Sequence, residues 1–165
     1  MSKRIILCGP AAAGKDYIRN KFKDKDFRID CSYTTRPMRE GEKNGREYNF
    51  VSEEVFLAMI ANKEFYEYVK HGEYYYGTEL FSWENADVFI METDGIKQLS
   101  KEDKECSLII FVTAPRSVRI KRMKEDRGWD THKIFQRLKV DIDKFKGFEN
   151  IADLVINSTD QNIEL

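Results

Sequence analysis

The sequence predicts an α/β fold built on a doubly wound parallel sheet. Short apolar runs of strand length alternate along the chain with segments whose apolar residues recur at helical spacing. The first run, residues 4–8, is rich in Ile and Leu and is followed at once by a glycine-containing loop at 9–14. Strands that alternate with helices pair in parallel, because each helix carries the chain back across a face of the sheet.

The N-terminal part continues with a helix and a second strand. Ile18 and Phe22 lie four residues apart, which predicts a short helix that begins at Lys15 and ends in the charged run at 23–26. Residues 27–31 are predicted to form the next strand. The chain is therefore expected to open with strand, loop, helix and strand.

The middle of the chain predicts a small mixed α/β insertion. Residues 32–50 are crowded with Thr, Arg, Gly, Glu and Asn, a composition typical of loops and turns. Ser52 is suited to cap a helix. Four apolar residues are expected on one face of this helix: Val55, Phe56, Met59 and Ile60. Residues 65–69 and 74–76, separated by a turn at Gly72, predict two paired strands.

The last part of the chain returns to the alternation of strands and helices. Strands are predicted at residues 87–91, 107–112 and 154–156. Helices are predicted at residues 95–99, 117–124 and 131–145. The last helix is amphipathic, and its apolar residues are Ile134, Phe135, Leu138, Ile142 and Phe145.

The composition excludes several classes of protein. At 165 residues the chain is long enough for one buried core, so a single domain is expected. Its net charge of -1 gives no reason to expect nucleic acid or an anionic membrane as a partner. The first apolar run is too short for a signal peptide, and no stretch is long enough to span a bilayer. Three widely spaced cysteines fit reduced thiols, and we expect a cytoplasmic protein.

The loop after the first predicted strand carries the spacing of a P-loop. Its residues are Gly9, Pro10, Ala11, Ala12, Ala13, Gly14 and Lys15. Small residues let backbone N–H groups surround the phosphates of ATP, while Lys15 spreads positive charge over the β- and γ-phosphates. The alternative is a simple glycine turn at the end of a strand. The flanking strand and helix favour the P-loop.

Asp16 occupies a position where P-loops usually have Ser or Thr, whose hydroxyl binds Mg²⁺. A carboxylate is a good ligand for Mg²⁺, which predicts that Asp16 binds the ion directly or through water. Alternatively, Asp16 only supplies the acidic residue that stabilises a helix N-terminus. The sequence leaves both interpretations open.

A second anion site is predicted in the polar segment that follows. Arg36 and Arg39 lie three residues apart, and Tyr48 follows them. A planar guanidinium matches phosphate with two parallel hydrogen bonds, and a phenol adds a neutral donor. Composition alone would instead favour a solvated polar loop.

The segment TTRPxRxGExNGxxYxFVS, residues 34–52, resembles the acceptor-binding segment of guanylate kinases. The similarity continues at residues 64–67, 75–78, 92–94, 126–128 and 136–138. The resemblance implies a P-loop NTPase-type core with a small acceptor-binding insertion and a helical lid. It also implies ATP-dependent phosphorylation of GMP, and of dGMP, with Mg²⁺ accompanying ATP.

The resemblance implies roles for individual residues at the acceptor site. The GMP phosphate is held by Arg36, Arg39, Tyr48 and Tyr76, and guanine is recognised by Ser32, Glu67 and Thr78. Guanine presents N1–H and N2–H₂ side by side, a donor pair that the Glu67 carboxylate can accept. A buried carboxylate left without a partner is costly, which would give base discrimination. Without the resemblance, Glu67 would be interpreted as a surface charge.

The remaining roles are also implied by the resemblance. Asp94 is assigned to the acceptor region and to Mg²⁺ through water, and Asn157 to the adenine of ATP. Arg127 and Arg137 match lid arginines that close over the transferring phosphates. The catalytic set is then Lys15, Arg36, Arg127 and Arg137. From composition alone, the basic stretch at 116–127 would be a solvated helix.

The expected organisation is one domain, residues 1–165. Its core comprises residues 1–31, 86–115 and 140–165, with an acceptor-binding insertion at about 32–85 and a lid at about 116–139. Residues 158–165 are too few for the C-terminal helix that the resemblance implies, so a monomer and a homodimer are both considered. Two other functions remain open: a related kinase that phosphorylates another deoxynucleotide or a ribose bisphosphate, and a catalytically silent protein-binding module.

Overall fold

Two four-stranded sheets organise residues 3–165, the part of the chain that the computed structural model describes. The strands are β1 (Arg4–Cys8), β2 (Tyr33–Thr34), β3 (Asn49–Phe50), β4 (Phe65–His71), β5 (Tyr74–Glu79), β6 (Val88–Ile90), β7 (Ser107–Thr113) and β8 (Leu154–Asn157). The helices are α1 (Lys15–Lys23), α2 (Glu53–Ala61), α3 (Leu80–Asn85), α4 (Thr93–Gln98), α5 (Lys101–Glu105), α6 (Arg116–Glu125) and α7 (Thr131–Lys144). A short 3-10 turn spans Phe148–Asn150.

The first sheet is parallel, with the strand order β6-β1-β7-β8. Successive residues of β1 enter opposite cores, since Ile6 packs with Phe89 and Phe111 while Leu7 packs with α1 through Ile18. Both faces of the sheet are therefore covered, as expected for parallel strands joined by helices. This arrangement confirms the predicted doubly wound sheet.

The second sheet is mixed, with the order β3-β2-β5-β4. The predicted pair of strands forms the antiparallel hairpin of β4 and β5, which turns at Gly72 in the left-handed region (φ 62°). α2 covers this sheet, and its buried Phe56 stacks on Phe65 and Tyr75 with ring centroids 4.4 and 5.2 Å away. The predicted cap is confirmed, because the Ser52 side chain accepts a hydrogen bond from the Val55 amide.

The strand predicted at residues 27–31 is wrong. Only Ile29 forms an isolated bridge, to Val88 of β6. The next residue, Asp30, still donates its amide to the Val88 carbonyl, but its buried carboxylate accepts the hydroxyls of Ser32 and Ser82, and the pairing with β6 does not continue. Short polar hydrogen bonds of this kind compete with a regular strand.

Some apolar residues do not lie where the helical pattern placed them. In α7 the buried residues are Ile134, Leu138 and Asp141, whereas Phe135 and Ile142 are exposed. α7 packs along one narrow stripe, and both exposed residues lie roughly 70–90° around the helix from the centre of that stripe. In α2, Val55 is likewise exposed.

The C-terminal residues Ile163 and Leu165 pack against the same core as α1.

The short helices α3 and α5 were not predicted, since α5 consists entirely of charged residues and shows no apolar period. Among the helices of residues 3–165, none is both long and apolar enough to cross a membrane.

We expect Phe56→Ala to lower the free energy of unfolding by about 3–5 kcal/mol, because it leaves a cavity among stacked rings. The matched control is Phe81→Ala in α3, where the ring is 69% exposed and the expected change is within about 0.5 kcal/mol. Urea unfolding followed by circular dichroism measures both. Equal losses in the two variants would contradict this packing.

Candidate active site

A cleft of about 390 Å³ opens at the carboxyl ends of β1 and β6. This is the edge at which open parallel sheets bind ligands. Most of the predicted site residues line it: Ala11, Ala12, Ala13, Gly14, Lys15, Asp16, Ser32, Arg36, Arg39, Tyr48, Glu67, Tyr76, Arg127 and Arg137. The structure thus brings together side chains that are more than a hundred positions apart in the sequence.

The predicted P-loop is a tight turn between β1 and α1. Gly9 passes so close to β7 that a Cβ atom would lie 2.2 Å from the Val112 carbonyl oxygen, and Gly14 adopts a left-handed conformation (φ 97°). The Lys15 ammonium donates to the carbonyls of Gly9 at 2.6 Å and Pro10 at 3.1 Å. Burial lowers the pKa of Lys15. Its charge is held in place by the loop before any phosphate is present.

Arg36 and Arg39 meet at the predicted second anion site. The buried Arg36 guanidinium forms a bidentate ion pair with Glu42, at 3.0 and 2.9 Å. Glu42 also accepts the Arg39 amide at 2.7 Å. Burial alone would raise the pKa of Glu42, but these hydrogen bonds lower it below its usual value. The rings of Tyr48 and Tyr76 lie edge to face beside this pair, with centroids 5.9 Å apart.

Glu67 places a buried carboxylate on the cleft wall. Its Oε1 accepts the hydroxyl of Thr78, which stands behind it at 2.6 Å. Gly95 of α4 makes room for it, because a Cβ atom there would lie 2.5 Å from Glu67 Oε2. Burial raises the pKa of Glu67 to about 7. Ser32, also on the wall, donates its hydroxyl to Asp30 at 2.5 Å.

Glu92 is a cleft residue that the sequence analysis missed. It lines the cleft two residues after the end of β6 and accepts a hydrogen bond from Lys144 at 2.7 Å. Burial would raise the pKa of Glu92, but Lys144, His71 and Lys15 lower it. By contrast, Asp94 lies outside the cleft wall and pairs with Lys97 at 2.9 Å. An acidic residue directly after an apolar strand was the signal that could have identified Glu92.

The two predicted lid arginines reach the cleft from the helical segment. Arg127 lies 5.1 Å above the Trp129 ring, and burial with the charges of neighbouring arginines lowers its pKa to about 10. Arg137 donates to Asp141 Oδ1 at 3.0 Å and also contacts the ring of His71. Cations therefore face each other across the opening.

Of two further residues predicted to bind ATP, one lines the cleft and the other does not. Asp16 is on the cleft wall, with an exposed carboxylate that pairs with Arg19 at 3.1 Å. Asn157 lies at the end of β8, outside the cleft wall, and its side-chain oxygen accepts the amide and hydroxyl of Thr159. Its contacts shape the turn after β8.

A family model described as guanylate kinase matches residues 1–163. The chain belongs to the guanylate kinase family. Guanylate kinase from Lactiplantibacillus plantarum is 34% identical over 163 residues, which cover 93% of this chain and 79% of that protein. Guanylate kinase from Enterococcus faecalis is 37% identical over 148 residues, covering 82% and 72%.

The fold agrees with this membership. A crystal structure of guanylate kinase from Anaplasma phagocytophilum superposes with a TM-score of 0.70 at 24% identity, covering 97% of this chain and 79% of that chain. Membership in the guanylate kinase family supports an enzyme that phosphorylates GMP with ATP. Nothing in these matches favours a kinase with another acceptor or a protein-binding module.

Glu67 is expected to make stability depend on pH. A carboxyl whose pKa is raised on folding stabilises the protein below its ordinary pKa of 4.5, and this contribution is lost as the pH rises through about 7. In Glu67→Gln this loss is absent. Between pH 4.5 and pH 8, the free energy of unfolding of the variant should therefore rise by about 3 kcal/mol relative to that of the native protein. Urea unfolding without nucleotide measures this difference.

The control for this measurement is Glu73→Gln, at an exposed position in the turn after β4. The difference in the free energy of unfolding between this variant and the native protein should stay the same from pH 4.5 to pH 8. A constant difference for Glu67→Gln as well would contradict the raised pKa.

Proposed function

We propose that this guanylate kinase carries out its reaction in the cleft, with ATP on the P-loop side and GMP on the side of the second sheet. The observation that carries the proposal is the meeting of two cationic sites and one buried carboxylate in a single cavity: Lys15 on the P-loop, Arg36 with Arg39, and Glu67. Two phosphate groups and one base with adjacent donors match this set.

At the donor side, the proposed ATP contacts are Gly9, Pro10, Ala11, Ala12, Ala13, Gly14, Lys15 and Asp16. Lys15 exchanges the carbonyls of Gly9 and Pro10 for the β- and γ-phosphates. The N-terminus of α1 adds positive potential at the same place. Asn157 remains our proposal for the adenine contact.

At the acceptor side, Arg36, Arg39, Tyr48 and Tyr76 are proposed to bind the GMP phosphate. Glu67 accepts guanine N1–H and N2–H₂, Thr78 orients Glu67, and Ser32 donates to O6. Asp94 is proposed near the acceptor. None of these proposed contacts involves the 2′ hydroxyl that distinguishes GMP from dGMP, so we propose that dGMP is also a substrate.

The carboxylates of the cleft fit a Mg²⁺ ion that arrives with ATP. Mg²⁺ is usually held by one or two carboxylates together with phosphate oxygens and water. Asp16 and Glu92 both line the cleft and would hold it, with Asp94 contributing through water. Among residues 3–165 no cluster of three or more His, Cys, Asp or Glu suits a metal ion, and we propose that phosphate oxygens of ATP complete the site. When bound, Mg²⁺ neutralises charge on the phosphates.

The proposed chemistry is positioning and charge stabilisation. An oxygen of the acceptor phosphate attacks the γ-phosphorus, the bond to the β-phosphate oxygen breaks, and no general base is needed because the acceptor is already an anion. Arg36 aims the acceptor, while Arg127 and Arg137 stabilise the charge on the transferring group. Closure of the lid excludes water that would otherwise hydrolyse ATP.

The division into core, insertion and lid also remains a proposal. The second sheet falls within the proposed insertion at residues 32–85, and the lid at 116–139 contains α6 and the first part of α7. We further propose a cytoplasmic location, because three widely spaced cysteines in the sequence fit reduced thiols better than a disulfide framework. The assembly is proposed to be a monomer or a homodimer.

We expect ADP release from ATP and Mg²⁺ with GMP and dGMP, and none with AMP, CMP, dTMP or ribose 1,5-bisphosphate's monophosphate precursor. Lys15→Ala should lower kcat by about 100-fold or more, because the phosphates lose their main cation. Lys23→Ala, an exposed position on the same helix, is the control. A folded native protein that turns over no acceptor would overturn the proposed activity.

Glu67→Gln should raise KM for GMP by about 100-fold and leave KM for ATP unchanged. The amide offers one acceptor and one donor, so one guanine N–H group meets another donor. Steady-state kinetics with each substrate varied in turn measures both constants, with Glu73→Gln as the control. Equal changes in the two KM values would count against Glu67 as the guanine contact.

A further inference from the structure

Asp141 is a charged residue in an apolar position. It lies on α7 in the same stripe as the buried Ile134 and Leu138, where the helical pattern calls for an apolar side chain, and only 2% of the residue is exposed. Burying a carboxylate is expensive unless it is fully paired. A break of this kind in a regular pattern is expected mainly at functional or strained positions.

The partners of Asp141 come from three different parts of the fold. Its Oδ2 accepts the backbone N–H of Ala11 in the P-loop at 3.1 Å and the guanidinium of Arg119 in α6 at 2.5 Å. Its Oδ1 accepts Nε of Arg137 at 3.0 Å. One carboxylate thus joins the P-loop to both helices of the proposed lid.

Arg119 completes the connection. Its Nε donates to the carbonyl oxygen of Ala11 at 2.9 Å, while its other nitrogen binds Asp141. The N–H and the C=O of Ala11 are therefore both held by the same charged pair. The N–H belongs to the peptide group before Ala11 and the C=O to the peptide group after it, so two successive peptide groups are held and the first half of the P-loop is set by α6 and α7.

The geometry also fixes Arg137. Because Asp141 binds Nε, it orients the guanidinium from behind and leaves the terminal nitrogens for other partners. One terminal nitrogen contacts His71, and Arg137 lines the cleft. The pair lies one helical turn apart, so backbone and carboxylate together restrict the arginine to few rotamers. Two guanidinium groups against one carboxylate leave an excess of positive charge next to the P-loop.

We propose that Asp141 is a positioning residue that fixes the P-loop and Arg137 relative to each other. It acts through Ala11, Arg119 and Arg137. The proposal rests on the proposed function, in which the P-loop binds ATP and Arg137 stabilises the transferring group. ATP binding and the transfer step should both depend on Asp141, whereas GMP binding at Glu67 should not.

The test is Asp141→Asn, which keeps the shape of the side chain and removes its charge. The matched control is Asp143→Asn, an exposed position on the same helix. We expect Asp141→Asn to raise KM for ATP about tenfold, equivalent to about 1.4 kcal/mol, and to leave KM for GMP within about twofold. Calorimetric titration with ATP alone should show the same weakening. A merely structural role would reduce the active fraction without changing either affinity.

A double-mutant cycle with Arg137→Ala tests the second half of the proposal. The loss of kcat caused by Asp141→Asn should be clearly smaller when Arg137 is already absent. If Asp141→Asn does not fold, Arg119→Met breaks the same connection at Ala11 and must raise KM for ATP without affecting GMP. Unchanged ATP affinity together with additive kcat effects would overturn the proposal. Absence of GMP turnover by the native protein would instead reject the proposed function, and the ATP titration would still decide the role of Asp141.

Discussion

The cleft must hold cations close together before any phosphate arrives to neutralise them. The residues concerned are Lys15, Arg36, Arg39, Arg127 and Arg137. In a partly buried cavity their mutual repulsion is weakly screened, so each needs a partner supplied by the protein. Glu42 pairs with Arg36, Asp141 pairs with Arg137, and loop carbonyls hold Lys15, while Arg39 and Arg127 lie over the Trp129 ring. The acidic residues around the cleft thus make a cationic site compatible with a folded, empty enzyme.

The fold was predictable where one local pattern decided the structure. β1, its glycine loop and α1 follow from an apolar run, a tight turn and a helical period. The strand prediction at residues 27–31 was wrong because the Asp30 carboxylate also accepts a hydrogen bond from Ser82, 52 positions away, a contact that no local window contains. The prediction that Phe135 and Ile142 lie on the buried face of α7 was wrong for a related reason, since only packing decides which side of the helix is buried.

The candidate site was predictable where a short motif fixes the chemistry, as in the P-loop and the segment around Arg36. It was less predictable at strand ends. Glu92 and Asp94 are both acidic and two residues apart, but α4 begins between them, so one side chain faces the cleft and the other faces solvent. Asp141 could not be identified from spacing, because its role depends on the approach of a loop 130 positions away.

The absence of a side chain at Gly95 bears on how this enzyme can change during evolution. The carboxylate that we propose for guanine occupies the space that a methyl group at this position would fill. A single nucleotide change in a glycine codon produces alanine. One point mutation could therefore disrupt base selectivity at a residue that does not line the cleft. In laboratory evolution toward another base, a substitution at Gly95 would alter the proposed guanine site and leave the phosphate-binding residues unchanged.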